Sequence, residues 1–216
     1  MFWNIAEKNL IDPLIQIILE NKTDVVALAE AGQLDINSLL NALGMKGCQW
    51  KSAEVCPGKD IRLLVKKEVT ISVHQEEKRF SSYKMFIDNR MCLLHVVHLS
   101  STLHWEESAR NDKAVYISQV LRKMEEKLFG KNEYNSMVVG DFNLQPYAGG
   151  IAGVYGFNAT MSISKAMQRT RKVDGKLKYF YFNPIWKLMG DHKDVQGSYY
   201  NDHDQQGKSI TQIIYQ

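Results

Sequence analysis

The chain has 216 residues, of which 44% are hydrophobic and 24% charged, and it contains only four prolines. This composition excludes the disordered, collagen-like and low-complexity classes and is typical of a globular protein whose core needs no disulfide or metal to hold it. The formal net charge of +3 permits a polyanionic ligand but does not indicate one, because solubility alone accounts for so small a balance.

Cysteine usage and hydropathy bear on the compartment. Cys48, Cys56 and Cys92 are an odd number without metal-ligand spacing, which indicates reduced thiols in a reducing environment. No basic-then-apolar leader opens the chain, and its longest apolar stretches are too short to span a bilayer. We therefore expect one cytoplasmic domain over residues 1–216 with no membrane contact.

The first elements alternate between helix and strand. Residues Asn9–Asn21 are predicted to form a helix that Asp12 caps. The run Asp24–Glu30 is apolar between its two terminal carboxylates, which is typical of a strand buried on both faces. A second helix is predicted over Asp35–Leu43, ended by Gly44.

Strands dominate the next segment, and a long helix follows them. The Asp88-Asn89 pair predicts a hairpin turn. A Gly-rich short helix, loops and an aromatic stretch are predicted after Pro146. The predicted elements are strands Ile61–Lys66, Val69–His74, Arg79–Ile87 and Met91–Leu99, helix Glu106–Phe129, strand Ser136–Gly140 and a last strand Ser209–Tyr215. This order favours two packed sheets with helices on the outside.

The segment Val138–Asn143 is the strongest chemical signal. A buried strand delivers the Asp141 carboxylate and, two residues later, the Asn143 carboxamide, so both leave the strand end in one direction. A carboxylate can orient or deprotonate water or hold a hard cation, and an amide can bind a phosphate oxygen. The alternative is a turn cap, since Gly-Asp-x-Asn is also favourable turn chemistry.

Two N-terminal residues are further candidates. The Glu30 carboxylate closes a buried strand, which is costly unless it is solvated, paired or bound to metal. Mg²⁺ commonly binds one or two carboxylates together with water and substrate phosphate. Asn4 follows Phe2-Trp3, and its amide needs partners from the backbone or from a polar site.

His95 and His98 are three residues apart on one predicted strand and therefore face opposite sides. At most one of them is expected to be catalytic. The alternative for each is a hydrogen-bonded histidine in the core.

Four motifs occur in the order found in one superfamily: Trp3-Asn4-Ile5, Ala27-Leu28-Ala29-Glu30, Val97-His98-Leu99-Ser100-Ser101 and Gly140-Asp141-Phe142-Asn143-Leu144-Gln145-Pro146. In these four motifs the chain resembles the endonuclease/exonuclease/phosphatase superfamily. This superfamily contains deoxyribonuclease I, apurinic endonucleases, sphingomyelinases and inositol-phosphate phosphatases. The match covers about residues 1–146. The resemblance implies an α/β fold, a four-layer α/β/β/α sandwich with its site at one mouth of the two sheets. The segment after Phe180 also resembles small bacterial members.

The resemblance also implies roles for individual residues. Glu30 is similar to the metal-binding glutamate, for Mg²⁺ or alternatively Mn²⁺, and Asp141 is the second candidate for the metal. Asn4 resembles the asparagine of the first strand, and His98 the phosphate-contacting histidine, which favours it over His95. Asp141 and Asn143 resemble the pair that positions nucleophile and phosphate.

The C-terminal segment departs from the superfamily. Thr211 stands where a late-strand aspartate is expected, and the chain ends at Gln216 before a closing Ser-Asp-His. Either the chain is truncated or degenerate there, or Asp202-His203 supplies the closing pair, which makes His203 a candidate catalytic residue. A plain polar loop is the alternative for that stretch.

The resulting expectation is a metal-dependent phosphodiester hydrolase, a nuclease acting on DNA or RNA. The basic stretch Lys165–Lys178 suits a nucleic-acid backbone, although such a run is also typical of a solvated loop. A catalytically impaired phosphate- or nucleic-acid-binding module of the same fold, or a phosphoesterase for small molecules or lipids, is the alternative. The sequence does not identify a protein partner.

Overall fold

The computed structural model describes residues 1–53, 60–101, 106–130, 135–188, 199–201, 206–208 and 211–215. The chain divides into two units, Met1–Val96 and Val97–Gln216. Within the ranges described, no helix has the length and apolar character needed to cross a membrane.

The first unit begins with a four-stranded sheet in the order β1-β2-β4-β3. Strands β1 and β2 are parallel and pair Asn4 with Ala29, so the two strands end at the same edge of the sheet. The core on one face is aliphatic and includes Leu14, Leu28 and Leu39. The elements are β1 Phe2–Asn4, α1 Ile11–Glu20, β2 Val25–Ala29, α2 Ile36–Met45, β3 Trp50–Ser52 and β4 Ile61–Lys66.

Two helix boundaries differ from the prediction. Helix α1 begins at Ile11, which places Asp12 inside its first turn, where a carboxylate interacts favourably with the helix dipole but does not cap. Helix α2 runs through Gly44 to Met45, so the predicted stop was wrong. Its N-terminus is capped, because the Asp35 carboxylate accepts a 3.0 Å hydrogen bond from the Ser38 N–H. The left-handed glycine after α2 is Gly47, at φ +80°.

Three antiparallel strands follow: β5 Ile71–Glu77, β6 Phe80–Ile87 and β7 Arg90–His98. A bulge between Val73 and Gln75 interrupts the β5–β6 register. Asp88 and Asn89 both have left-handed backbone, at φ 49° and 62°. Left-handed backbone at both central residues is what a tight type I′ hairpin requires, so the predicted turn is confirmed.

The second unit contains the predicted long helix and a mixed sheet whose strand order is β8-β15-β12-β9. Strand β15 runs antiparallel to β8 and places Thr211 opposite Asp141. The elements are α3 Glu107–Phe129, β8 Ser136–Asp141, α4 Gly149–Ala152, β9 Ala159–Thr160, α5 Ile163–Ala166, β10 Thr170–Val173, β11 Lys176–Tyr179, β12 Tyr181–Phe182, a 3-10 helix Pro184–Leu188, β13 Tyr199–Asn201, β14 Gln206–Lys208 and β15 Thr211–Tyr215.

A buried polar cluster joins α3 to the sheet of the second unit. The Glu125 carboxylate, which is fully buried, accepts hydrogen bonds from Ser136 Oγ at 2.7 Å and from the Tyr181 hydroxyl, and it pairs with Arg122 at 3.1 Å. The Arg122 guanidinium lies 3.9 Å from the Tyr181 ring centroid. Burial raises the pKa of the Tyr181 hydroxyl, which therefore stays a donor. Several partners thus stabilise a carboxylate that would be costly to bury alone.

Gly140 is the point of closest approach in β8. A Cβ atom at this position would lie 1.9 Å from the carbonyl oxygen of Val97 and 2.8 Å from its carbonyl carbon. Both atoms belong to backbone and cannot move aside as a flexible side chain can. Only glycine therefore fits directly before Asp141.

Replacing Gly140 with alanine is expected to destabilise the protein by about 3 kcal/mol or more, because the methyl group overlaps backbone. Gly44→Ala is the matched control, since Gly44 lies in exposed helix with open space around its Cβ. There the same change is expected to stabilise by about 0.5–1 kcal/mol, from helix propensity. Urea unfolding of both variants measures the two free energies, and equal effects would contradict the close approach at Gly140.

Candidate active site

Asn4 and Glu30 meet at one edge of the first unit's sheet. Because β1 and β2 are parallel, the ends of both strands deliver their polar residues side by side. Asn4 Nδ2 donates a 2.9 Å hydrogen bond to Glu30 Oε1, and Asn4 Oδ1 accepts a 3.0 Å bond from the Ala6 N–H. The amide therefore uses both ends, and it orients the carboxylate of Glu30.

The backbone around this pair is strained. Ala6, Glu7 and Glu30 all have left-handed φ values, of 49°, 57° and 48°. Such conformations cost on the order of 1–3 kcal/mol each for ordinary residues and concentrate at functional sites. A 2.8 Å hydrogen bond from the Glu7 N–H to the Glu30 carbonyl oxygen helps to hold the two turns together.

Glu7 is a residue that the sequence reasoning missed. Its carboxylate accepts a 3.1 Å hydrogen bond from the Gln33 N–H. A Cβ on Gly32 would lie 2.7 Å from Glu7 Oε2, so glycine leaves the space that this carboxylate occupies. Glu7 stands in a connection without hydrophobic periodicity, and no signal in the sequence marks it.

Asp141 and Asn143 form a closed turn at the end of β8. Asp141 is only 4% exposed, and its Oδ1 accepts a 3.0 Å hydrogen bond from the Asn143 N–H. Asn143 has left-handed backbone, at φ 50°. The turn-cap interpretation therefore describes one oxygen of Asp141, and it is compatible with a chemical role for the same carboxylate.

The segment after β7 is tied to this turn. Leu99 N–H donates to the Asp141 carbonyl oxygen at 2.9 Å, and Asn143 Nδ2 donates to the Leu99 carbonyl oxygen at 3.0 Å. His98, which directly precedes Leu99, is buried. The second unit thus brings the segment that carries His98 next to Asp141 and Asn143.

Arg110 adds a positive charge that the sequence reasoning did not identify. Its guanidinium donates to the carbonyl oxygen of Asn143 from the first turns of α3. The residue is partly buried. A lone arginine near the start of an amphipathic helix looks like an ordinary surface residue in the sequence, so only the packing of α3 reveals this contact.

His95 belongs to the core of the first unit. Its ring is fully buried, and Nδ1 lies 2.7 Å from the hydroxyl of Ser82. This partner agrees with the interpretation of His95 as a hydrogen-bonded core histidine.

Of the C-terminal candidates, only the backbone of Thr211 is described. His203 and Asp202 lie outside the described residues, so their roles stay predictions. The backbone of Thr211 pairs directly with Asp141. Thr211 therefore occupies the end of the last strand at the level of the Asp141 turn, and the residue type there is a hydroxyl rather than a carboxylate.

The donor chemistry of these residues fits a hard cation. Across the described ranges, no group of three or more His, Cys, Asp and Glu side chains could hold a metal ion. Mg²⁺ does not need such a cluster, because one or two carboxylates, water and substrate phosphate complete its shell. A carboxylate that an amide orients, as at Glu30, suits Mg²⁺ or Mn²⁺.

No family model and no curated protein matches the chain, whereas solved structures do. Truncated TDP2 from Caenorhabditis elegans superposes with a TM-score of 0.59 at 15% identity, over 99% of this chain and 81% of that one. An endonuclease/exonuclease/phosphatase family protein from Bacteroides thetaiotaomicron gives 0.57 at 15% identity, over 99% and 81%. An AP endonuclease from Archaeoglobus fulgidus gives 0.57 at 11% identity, over 99% and 84%.

Likeness at such low identity shows the fold. The predicted α/β fold of the deoxyribonuclease I type is confirmed, and the chain has the fold of the endonuclease/exonuclease/phosphatase superfamily.

Proposed function

We propose that the chain is a metal-dependent phosphodiester hydrolase and that its substrate is nucleic acid. The observation that carries the proposal is the hydrogen bond from Asn4 to Glu30, which orients a carboxylate at the shared edge of two parallel strands. The fold supports the reaction class, since the similar Archaeoglobus fulgidus protein is an AP endonuclease. The fold alone does not determine the substrate.

Each candidate residue has a distinct proposed role. Glu30 would hold Mg²⁺, or Mn²⁺, which would supply Lewis-acid chemistry at the phosphate. Asn4 keeps the Glu30 carboxylate in one orientation through its amide. Asp141 aligns or deprotonates the attacking water through its carboxylate.

Asn143 and His98 are the proposed donors to the phosphate. One amide hydrogen of Asn143 is directed at the Leu99 carbonyl oxygen, and the second is the donor proposed for a phosphate oxygen. Arg110 holds the Asn143 carbonyl group and so fixes the turn that presents this amide. His203 stays a candidate for the closing imidazole.

The hairpin of β10 and β11, residues 170–179, supports nucleic acid as the substrate. Arg171 stands directly opposite Lys178, and Lys172 and Lys176 are exposed on the same hairpin. Like charges in directly opposed positions destabilise a strand pair. Contacts to Asn158 and to the Tyr155 ring accommodate this pair, and a phosphate backbone would neutralise it.

A catalytically impaired binding module is the second candidate, and Thr211 opposite Asp141 favours it. Threonine carries no carboxylate, so the aspartate expected at that position of the sequence is missing. Loss of one electrostatic or acid–base group typically lowers a hydrolytic rate by about 10²–10³-fold. Such a protein would bind phosphate groups but turn over slowly.

Glu30→Gln and Asp141→Asn are each expected to lower the hydrolysis rate by about 10²–10³-fold, since each removes a charge used in the reaction. The assay measures Mg²⁺-dependent cleavage of labelled single- and double-stranded DNA, RNA and an aryl phosphodiester. Asp12→Asn, an exposed carboxylate in α1, is the control and is expected to behave as wild type. Unchanged cleavage by Asp141→Asn would contradict its role, and cleavage of the aryl ester alone would indicate a small-molecule esterase.

The double variant Glu30→Gln/Asp141→Asn tests whether both groups serve one reaction. Residues that act as a catalytic unit are strongly non-additive, so the double variant should be little slower than the slower single variant. Independent effects would instead multiply to about 10⁴–10⁶-fold. Single-turnover rates of the four proteins measure this coupling.

Neutralising the hairpin should weaken binding in a salt-dependent way. Lys172→Gln with Lys176→Gln removes two exposed charges, which should lower the slope of log affinity against log salt by about 1.4 for single strands. Titration at several salt concentrations measures the slope. Lys46→Gln, an exposed lysine at the end of α2, is the control, and an unaltered slope in the double variant would remove the hairpin from the interface.

A further inference from the structure

Tyr147 and Trp186 form an aromatic pair in the second unit, with ring centroids 6.5 Å apart and a tilt of 52°. The Tyr147 side chain is 61% exposed. We propose that this pair is a stacking site for a nucleobase of a single-stranded substrate, beside the Asp141 turn. The inference rests on the proposed function, because it assigns the part of the substrate that the pair would bind.

Tyr147 is held close to the candidate catalytic turn. It follows Asn143 by four residues, so their Cα atoms are at most roughly 14 Å apart along extended chain. A 2.9 Å hydrogen bond from the Ala148 N–H to the Gln145 carbonyl oxygen closes the turn that contains Tyr147. The ring is therefore fixed within a few nucleotides of any phosphate bound at Asn143.

The register of the sheet brings Trp186 toward the same edge. Phe182 in β12 pairs with Tyr215 in β15, and Tyr215 pairs with Met137 in β8. Strands β12 and β8 both run antiparallel to β15, so they run in the same direction. The chain after β12 therefore emerges at the edge of the sheet where β8 ends in Asp141. Trp186 lies four residues beyond Phe182, as Asp141 lies four residues beyond Met137.

Tyr147 is exposed, as Tyr155 is, whereas the aromatic residues of the core are not. Phe142, Phe157 and Tyr181 are fully buried, and Phe157 contacts the other two rings. The fold thus encloses the aromatic side chains that build its core and leaves Tyr147 at the surface. An exposed ring that a second aromatic ring supports loses little freedom when a flat partner stacks on it.

A nucleobase is the flat partner that this position favours. Every base has a π face, so stacking contributes to binding without sequence preference, and one stacked base is typically equivalent to about tenfold or more in affinity. A base in a duplex is already stacked on its neighbours and paired. The site should therefore discriminate single strands from duplexes and base-bearing strands from abasic ones.

The test compares a single-stranded oligodeoxynucleotide with an abasic oligomer of the same length, bound to Asp141→Asn protein so that cleavage does not intervene. Fluorescence anisotropy measures both affinities. Tyr147→Ala is expected to lower affinity for the base-bearing strand about tenfold and for the abasic strand by less than about twofold. Tyr147→Phe keeps the ring and should restore affinity to within about twofold.

Tyr116→Ala is the matched control, since this tyrosine is 57% exposed on α3 and contacts only the side chain of Lys113 among the ring contacts described. It should bind both strands as the parent does. A second readout is tryptophan fluorescence, which the base-bearing strand should quench in the parent protein and quench less in Trp186→Phe.

The proposal is overturned if Tyr147→Ala weakens both strands equally, if Tyr147→Phe binds as poorly as Tyr147→Ala, or if the parent binds no single strand. Failure of the proposed function has a different result. A protein that prefers base-bearing strands but hydrolyses none of the phosphodiesters keeps the stacking site and loses the hydrolase assignment. If the wild-type protein hydrolyses nucleic acid and Tyr147→Ala binds both strands normally, only the stacking proposal is refuted.

Discussion

The contact between Gly140 and the backbone of Val97 is the constraint on which the second unit's candidate site depends. With no side chain at Gly140, β8 approaches the end of β7 closely enough for the Leu99 N–H to reach the Asp141 carbonyl oxygen. The Asn143 amide then reaches the Leu99 carbonyl oxygen. One missing methyl group thus sets the position of the acid, the amide and the segment that carries His98.

Left-handed backbone occurs in both groups of candidate residues. Glu30 and Asn143 each follow the end of a buried strand and each have a φ near +50°. In both cases neighbouring hydrogen bonds offset the strain: Glu7 binds the Glu30 carbonyl, and Asp141 binds the Asn143 N–H. A sharp turn directly after a strand presents side chains at the end of the sheet, and strained backbone of this kind is concentrated at functional sites.

Charge is treated differently in the core and on the hairpin. The buried carboxylate of Glu125 is surrounded by an arginine, a hydroxyl and a phenol, so its charge is satisfied inside the protein. The opposed Arg171 and Lys178 carry like charges near the surface. This contrast separates a network that stabilises the fold from a surface whose positive charge favours a polyanionic ligand.

The sequence by itself determined the strands β2, β4 to β8 and β15, the long helix, the Asp88-Asn89 turn and the fold type, because apolar periodicity and four ordered motifs are local signals. It did not indicate β3 or the short strands between β8 and β15. It also indicated that Glu30 and Asp141 stand at strand ends. Local signals were insufficient where competing interactions decided the outcome. Asp12 could not be recognised as a non-capping residue, and Gly44 lies within α2, which continues to Met45.

Only the tertiary structure decided which distant groups touch. Arg110 reaches Asn143 from a helix 33 residues away in sequence, and Glu7 reaches Gln33 across 26 residues. The Tyr181 hydroxyl reaches Glu125 across 56 residues. Such contacts depend on how elements pack rather than on any short run of residues, so their physical cause is absent from the local pattern.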